Sequence, residues 1–299
     1  MSAALEMTQQ RGQVVEIGEG GSLRAVLAGP ASSARPLVVL EAGSFGFSAD
    51  WAAVQARLAA EGLRSLSYDR AGLGLSEPGP EPRDSRAIVA DLEALLGALG
   101  EAGPYIVCGH SMAGMHVRLF ALRNQARVRA VVLVDATTPE AMDHPAVPSV
   151  VGHFARLSKV AAWGAQIGVQ RPLAGALGDA IGLPPLAKAE KRLAFADAGH
   201  NHWAAAEVAA WVASADEARA AGAYDPDLPV AVVLTGDGRQ PLARHAIQTA
   251  PADAARHGFV IHVPGANHAS LLGERHAGHI VGAILTVEQA AGGLERAKA

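Results

Sequence analysis

The sequence predicts an α/β fold: a mostly parallel sheet flanked by helices, with a helical insertion in the second half of the chain. Three observations predict it. Short apolar runs alternate with stretches of helical spacing up to Asp135. The alternation stops over 138–228, where Ala-rich helical sequence takes its place, and then resumes. The apolar runs lack polar alternation, as strands buried on both faces of a parallel sheet do.

The elements follow in order. Residues 13–17 and Ser22–Ala28 flank Gly18-Glu19-Gly20-Gly21, the pattern of a β-hairpin. Leu37-Val38-Val39-Leu40-Glu41 is a buried strand after Pro36. Over 49–61, Trp51, Val54 and Leu58 share one helical stripe, and Gly62 stops the helix. A strand is predicted over 63–68, then a loop rich in Gly and Pro over 69–82. A helix runs through Ile88, Leu92, Leu95, Leu96 and Leu99. Strand 105–109, helix 112–123 and strand 130–135 complete the first half. The segment 138–228 reads as wholly helical, broken at Pro172, at Pro184-Pro185 and at Gly199. Strand 230–234, helix 242–256, strand Phe259–Val263 and helix 274–288 follow, with a tail expected to fray from Gly292. Such alternation builds βαβ units. The expected organisation is a core of 1–137 and 229–299 carrying a helical cap at 138–228.

Composition excludes several classes. The 299 residues are half hydrophobic, with a formal net charge of -4, so no basic field draws nucleic acid or an anionic membrane. The N-terminus is polar, with no apolar signal segment, and no apolar run reaches the roughly 18–20 residues of a membrane span. The one cysteine, Cys108, leaves no internal disulfide. The expectation is a cytoplasmic protein acting on a small molecule without a cofactor or metal.

The chemistry concentrates at strand-to-helix junctions, where parallel sheets place ligands. At Cys108-Gly109-His110-Ser111-Met112-Ala113-Gly114 a buried strand turns sharply into an amphipathic helix. A Ser there stands exposed above the sheet, and small residues two before and two after it let strand and helix backbones approach. Gly109 and Ala113 meet that need, and Gly114 is expected to relieve the added methyl of Ala113.

Here the chain resembles the α/β-hydrolase superfamily. Tyr68-Asp69-Arg70-Ala71-Gly72-Leu73-Gly74-Leu75-Ser76 is similar to the family's "YDRxGxGxS" loop, Gly109–Gly114 to its "GHSMGG" elbow, and Pro264-Gly265-Ala266-Asn267-His268 to the loop that carries its histidine. The resemblance spans about residues 13–288. It implies an eight-stranded, mostly parallel sheet and hydrolysis of an ester or similar bond. It implies Ser111 as nucleophile and His268 as general base, although twelve His residues make a lone one weak evidence. The acid favoured is Asp135, closing strand six; the alternative is Asp237, in the loop after strand seven where Arg239 holds the family's acid position. The oxyanion donors implied are the N–H groups of Met112 and Ser44, with Phe45 as the neighbour in Ala42-Gly43-Ser44-Phe45. The family's His is absent from that loop, and Glu41 is the side chain placed to prop it. Ser at the elbow argues against epoxide hydrolases and haloalkane dehalogenases, which carry Asp there. The expected substrate is a small to medium, mainly apolar ester, thioester or lactone. Acyl transfer, perhydrolysis and lyase chemistry share the same residues, and a non-catalytic ligand-binding role is the reading from another class. His110, His262 and Cys108 read as structural. The pair His200 and His202 is short of a metal set and reads as a helix start. Phe154, Trp163, Phe195, Trp203 and Trp211 are expected to pin the cap or line its pocket.

Overall fold

The protein is described by a computed structural model covering residues 11–18, 21–174, 180–238 and 242–298. The strands are β1 (Gln13–Glu16), β2 (Ser22–Ala28), β3 (Leu37–Glu41), β4 (Ser65–Tyr68), β5 (Tyr105–His110), β6 (Val128–Val134), β7 (Val230–Thr235) and β8 (Phe259–Val263). They form one sheet in the order β1-β2-β4-β3-β5-β6-β7-β8. β1 pairs antiparallel with β2, and β2 antiparallel with β4. The other pairs are parallel, for example Val38↔Ile106 and Cys108↔Val132. The chain runs from β3 outward to β4, then back across to β5. The direction of winding therefore reverses between β3 and β5, and their C-terminal ends flank a crevice.

Alternation along each strand sorts the core into two layers. Val38 and Leu40 face α1 (Ala52–Ala60) and α9 (Ala277–Lys298). Leu37 and Val39 face α2 (Ser85–Ala98) and α3 (Ala113–Arg123). Trp51, predicted on the first helix, closes a 3-10 turn, Ser48–Trp51, and is fully buried. α9 does not fray at Gly292: Ile280, Ile284, Val287 and Ala291 are buried, and this packed stripe carries the helix on to Lys298.

Between β6 and β7 lie α4 (Val147–Gln166), α5 (Pro185–Ala196), α6 (Ala198–Ala209) and α7 (Trp211–Ala220). Pro185 opens α5, where its missing N–H costs nothing. The break between α5 and α6 falls at Asp197, not Gly199, because the Asp197 carboxylate caps the His200 N–H at 2.6 Å. α7 packs beside α2 and α3: Ser214 Oγ accepts from the Ser85 N–H at 3.0 Å. α8 (Leu242–Asp253) links β7 to β8.

Candidate active site

Ser111 begins the turn after β5 with φ 56°, in the left-handed region that a side chain disfavours. Its N–H donates to Val134 O at 3.1 Å, and its carbonyl accepts from the N–H of Thr137 at 2.8 Å. The strained turn is thus bound on both sides to β6 and the loop beyond it. A Cβ on Gly109 would stand 2.7 Å from Val117 Cγ2, the close approach that requires a small residue there. Ala113 is fully buried without displacing the turn. Gly114 does not relieve Ala113; its Cβ would meet Thr137 O at 2.5 Å, so it admits the loop after β6.

Asp135 directly follows β6 with φ 41°, and its N–H donates to Val233 O at 2.7 Å. The structure brings it to His268, with Nδ1 2.6 Å from Asp135 Oδ2. Gln248 Nε2, on α8, donates to the other carboxylate oxygen at 3.1 Å. Burial pushes the Asp135 carboxyl up, but the hydrogen bond and charge of His268, helped by His110 and Gln248, outweigh it and hold the group below its ordinary value. An ionised carboxylate has no proton to give, so Nδ1–H of His268 donates to it in either charge state, and in the neutral ring the lone pair is then on Nε2. The His268 side chain is 52% exposed, while that of Asp135 is 4% exposed. His110 Nε2–H donates to the His268 carbonyl at 2.9 Å, with the rings 4.5 Å apart. Burial and the neighbouring His268 lower its pKa to about 3, so His110 is neutral and anchors the loop. Ser111 Oγ and His268 make no hydrogen bond to one another among the described contacts; such bonds tighten when substrate binds. Asp237 is exposed in the loop after β7, and Arg239 lies outside the described residues.

The loop after β3 closes over the turn. A Cβ on Gly43 would lie 2.8 Å from Ser111 Cβ. Phe45 has φ 58°, and Ser44 Oγ donates to Met112 Sδ at 3.3 Å. Met112 precedes α3, so its N–H has no intrahelical acceptor. Glu41 is buried with two partners: Tyr68 OH donates at 2.6 Å and Arg70 Nη1 at 2.7 Å. Arg70 also donates to the carbonyls of Ala42 and Gly43, and to Glu207 on α6. Lys191 Nζ, on α5, donates to Phe45 O at 2.9 Å and to Asp50 at 2.9 Å. Asp69, fully buried, accepts from the N–H groups of Ser48 and Leu75. The glycines of its loop fit these contacts, since a Cβ on Gly72 would overlap Trp203 and one on Gly74 would overlap Asp69.

The remaining residues separate. Cys108 is buried inside β5, and burial pushes its thiol up. His200 is buried and accepts from the Gly74 N–H at 3.0 Å through Nδ1, whereas His202 is exposed beside Trp203. His262 stacks on His245 at 5.1 Å. Phe154 lies between Phe45 at 6.3 Å and Trp211 at 6.1 Å, while Trp163 is 61% exposed. Among the described residues no group of three or more His, Cys, Asp or Glu is arranged to hold a metal ion. No described helix is long and apolar enough to cross a membrane. A cleft of about 310 Å³ lies at the opposite ends of β6 and β7, between Gln125, Arg129 and Asp225, and its lining includes no Ser, Cys or His. Sequence reasoning missed Gln248, Glu207 and Lys191, which lie on helices whose packing no local pattern announces.

Comparison with known proteins agrees with this architecture. The family model described as alpha/beta hydrolase fold matches residues 36–175. The chain is 31% identical over 115 residues to "Probable transporter efuK" of Hormonema carpetanum and 30% identical over 111 residues to "Uncharacterized protein YqjL" of Bacillus subtilis. These stretches are 38% and 37% of this chain, and span only 16% and 44% of those relatives. Among solved structures, a thermophilic esterase from Thermogutta terrifontis superposes with TM-score 0.66 at 20% identity, covering 94% of this chain and 100% of that one. The enol-lactonase from Burkholderia xenovorans gives 0.63 at 20%, covering 92% and 99%. The epoxide hydrolase CorEH gives 0.67 at 19%, covering 92% and 97%.

Proposed function

We propose that this chain, a member of the α/β-hydrolase superfamily, is a serine hydrolase that cleaves a small to medium, mainly apolar ester, thioester or lactone. The observation that carries the reading is the 2.6 Å contact of His268 Nδ1 with Asp135, which puts the lone pair of a neutral imidazole on Nε2, and it is supported by the strained, partly exposed turn at Ser111. In this mechanism Nε2 takes the Ser111 proton as Oγ attacks the acyl carbon. Asp135 stabilises the imidazolium and keeps its tautomer. The N–H groups of Met112 and Ser44 receive the developing oxyanion. His268 returns the proton to the leaving alcohol, thiol or ring oxygen. A water then cleaves the acyl-enzyme by the same steps in reverse roles. The apolar preference is supported by Phe45, Phe154, Met112 and Trp211, which pack together beside the turn. The segment 138–228 acts here as the cap over that apolar cluster, with α7 packed on the core.

A fluorophosphonate probe tests the reading. It should label the wild-type protein at Ser111 and not Ser111→Ala, and p-nitrophenyl butyrate hydrolysis should vanish with the label. A wild-type protein that takes no label and cleaves no activated ester sinks the proposal.

A further inference from the structure

In a trans peptide unit the carbonyl and the following N–H point in opposite directions. A side chain that grips the carbonyl therefore aims the amide on the other side. The Gly43 carbonyl accepts from Arg70 Nη2 at 2.9 Å. The N–H in that same peptide unit belongs to Ser44. Arg70 Nη1 holds the preceding carbonyl, Ala42 O, at 2.6 Å. Two consecutive peptide units of the loop are thus turned by one guanidinium.

Arg70 is itself fully buried and held from both directions. Its Nε and Nη2 form a fork on Glu207, each at 2.8 Å, and its Nη1 reaches Glu41 at 2.7 Å. Glu207 is completely buried on α6, in the segment between β6 and β7. A bidentate pair fixes the guanidinium plane, which a lysine ammonium cannot reproduce.

We propose that Arg70 is a positioning residue that aims the Ser44 N–H at the oxyanion, and that Glu207 sets its orientation from the cap, so that the placement of the cap governs kcat. The proposal rests on the serine-hydrolase reading above. An Arg70 that merely stabilised the fold would change melting temperature without changing how much better the transition state binds than the substrate.

The test compares wild type, Glu207→Gln and Arg70→Lys on p-nitrophenyl butyrate, with inhibition by an aryl trifluoromethyl ketone, which forms an oxyanion on the nucleophile. Losing a whole oxyanion donor costs about 10²–10³ in kcat, so a mis-aimed one should cost about tenfold in Glu207→Gln and about a hundredfold in Arg70→Lys. KM should stay within about twofold, and the ketone's Ki should rise in parallel with the loss in kcat. Unchanged kcat in Glu207→Gln, or a fall in melting temperature with the ratio of Ki to KM unchanged, overturns the proposal. Glu207→Gln keeps the side chain's size and decides the matter alone if Arg70→Lys does not fold. Fluorophosphonate labelling of the wild type separates the two failures: without label the hydrolase reading falls and this one with it, and with label but unchanged variants only this one falls.

Discussion

Phe45, Ser111 and Asp135 are the non-glycine residues with positive φ among those described, and all three border the crevice between β3, β5 and β6. Each such conformation costs on the order of 1–3 kcal/mol, so surrounding contacts must hold it. For Asp135 those contacts are the Val233 carbonyl, Gln248 and His268. The choice of acid can be measured directly. Asp135→Asn should lower kcat by about 10⁴-fold, because the amide favours the wrong imidazole tautomer. Asp237→Asn, at an exposed position, should stay near wild type. The opposite ranking in a kcat comparison would overturn the assignment.

α3 reaches the site because its first turn packs closely on the backbone and a small side chain of the loop after β6. Gly114 lies where a Cβ would stand 2.5 Å from Thr137 O and 2.9 Å from Ala136 Cβ. Neither neighbour can give way easily, since Thr137 N also donates to Ser111 O. Gly114→Ala should therefore destabilise the protein by about 1–3 kcal/mol, as overpacking does, although alanine is the better helix former. Urea denaturation of the variant measures this. A stability equal to or above wild type would mean that the loop after β6 yields freely.

The helices between β6 and β7 are tied to the sheet through buried polar groups, and this gives the whole molecule a pH signature. His200 on α6 accepts the Gly74 N–H, and its pKa is lowered to about 3 by burial, with the charge of Lys191 adding to the effect. In the unfolded chain the imidazole takes a proton near its ordinary value of about 6.5. Between these values the unfolded state binds more protons, so stability falls as pH falls from 6.5 towards 3. The contribution is on the order of 2 kcal/mol lost between pH 7 and pH 5. His200→Asn keeps an acceptor for Gly74 but does not titrate. Its melting temperature should decline less steeply over that range, and a slope equal to wild type would show that His200 does not contribute to the decline.

The α/β architecture, the strand order of events along the chain and the elbow at Ser111 are legible in the sequence because they rest on local pattern: apolar runs, helical spacing and small residues at a sharp turn. α9 outlasting Gly292 was not legible, because the buried stripe of Ile284, Val287 and Ala291 needs a sheet to pack on. The sequence left two aspartates as partners for His268. Only the tertiary structure brought one of them to 2.6 Å, because the parallel register of β6 and β7 sets which loop end faces β8. The same holds for Arg70. Its motif is visible in the chain, but its counter-charge Glu207 lies 137 residues away, and a buried cation finds its partner through folding rather than through spacing.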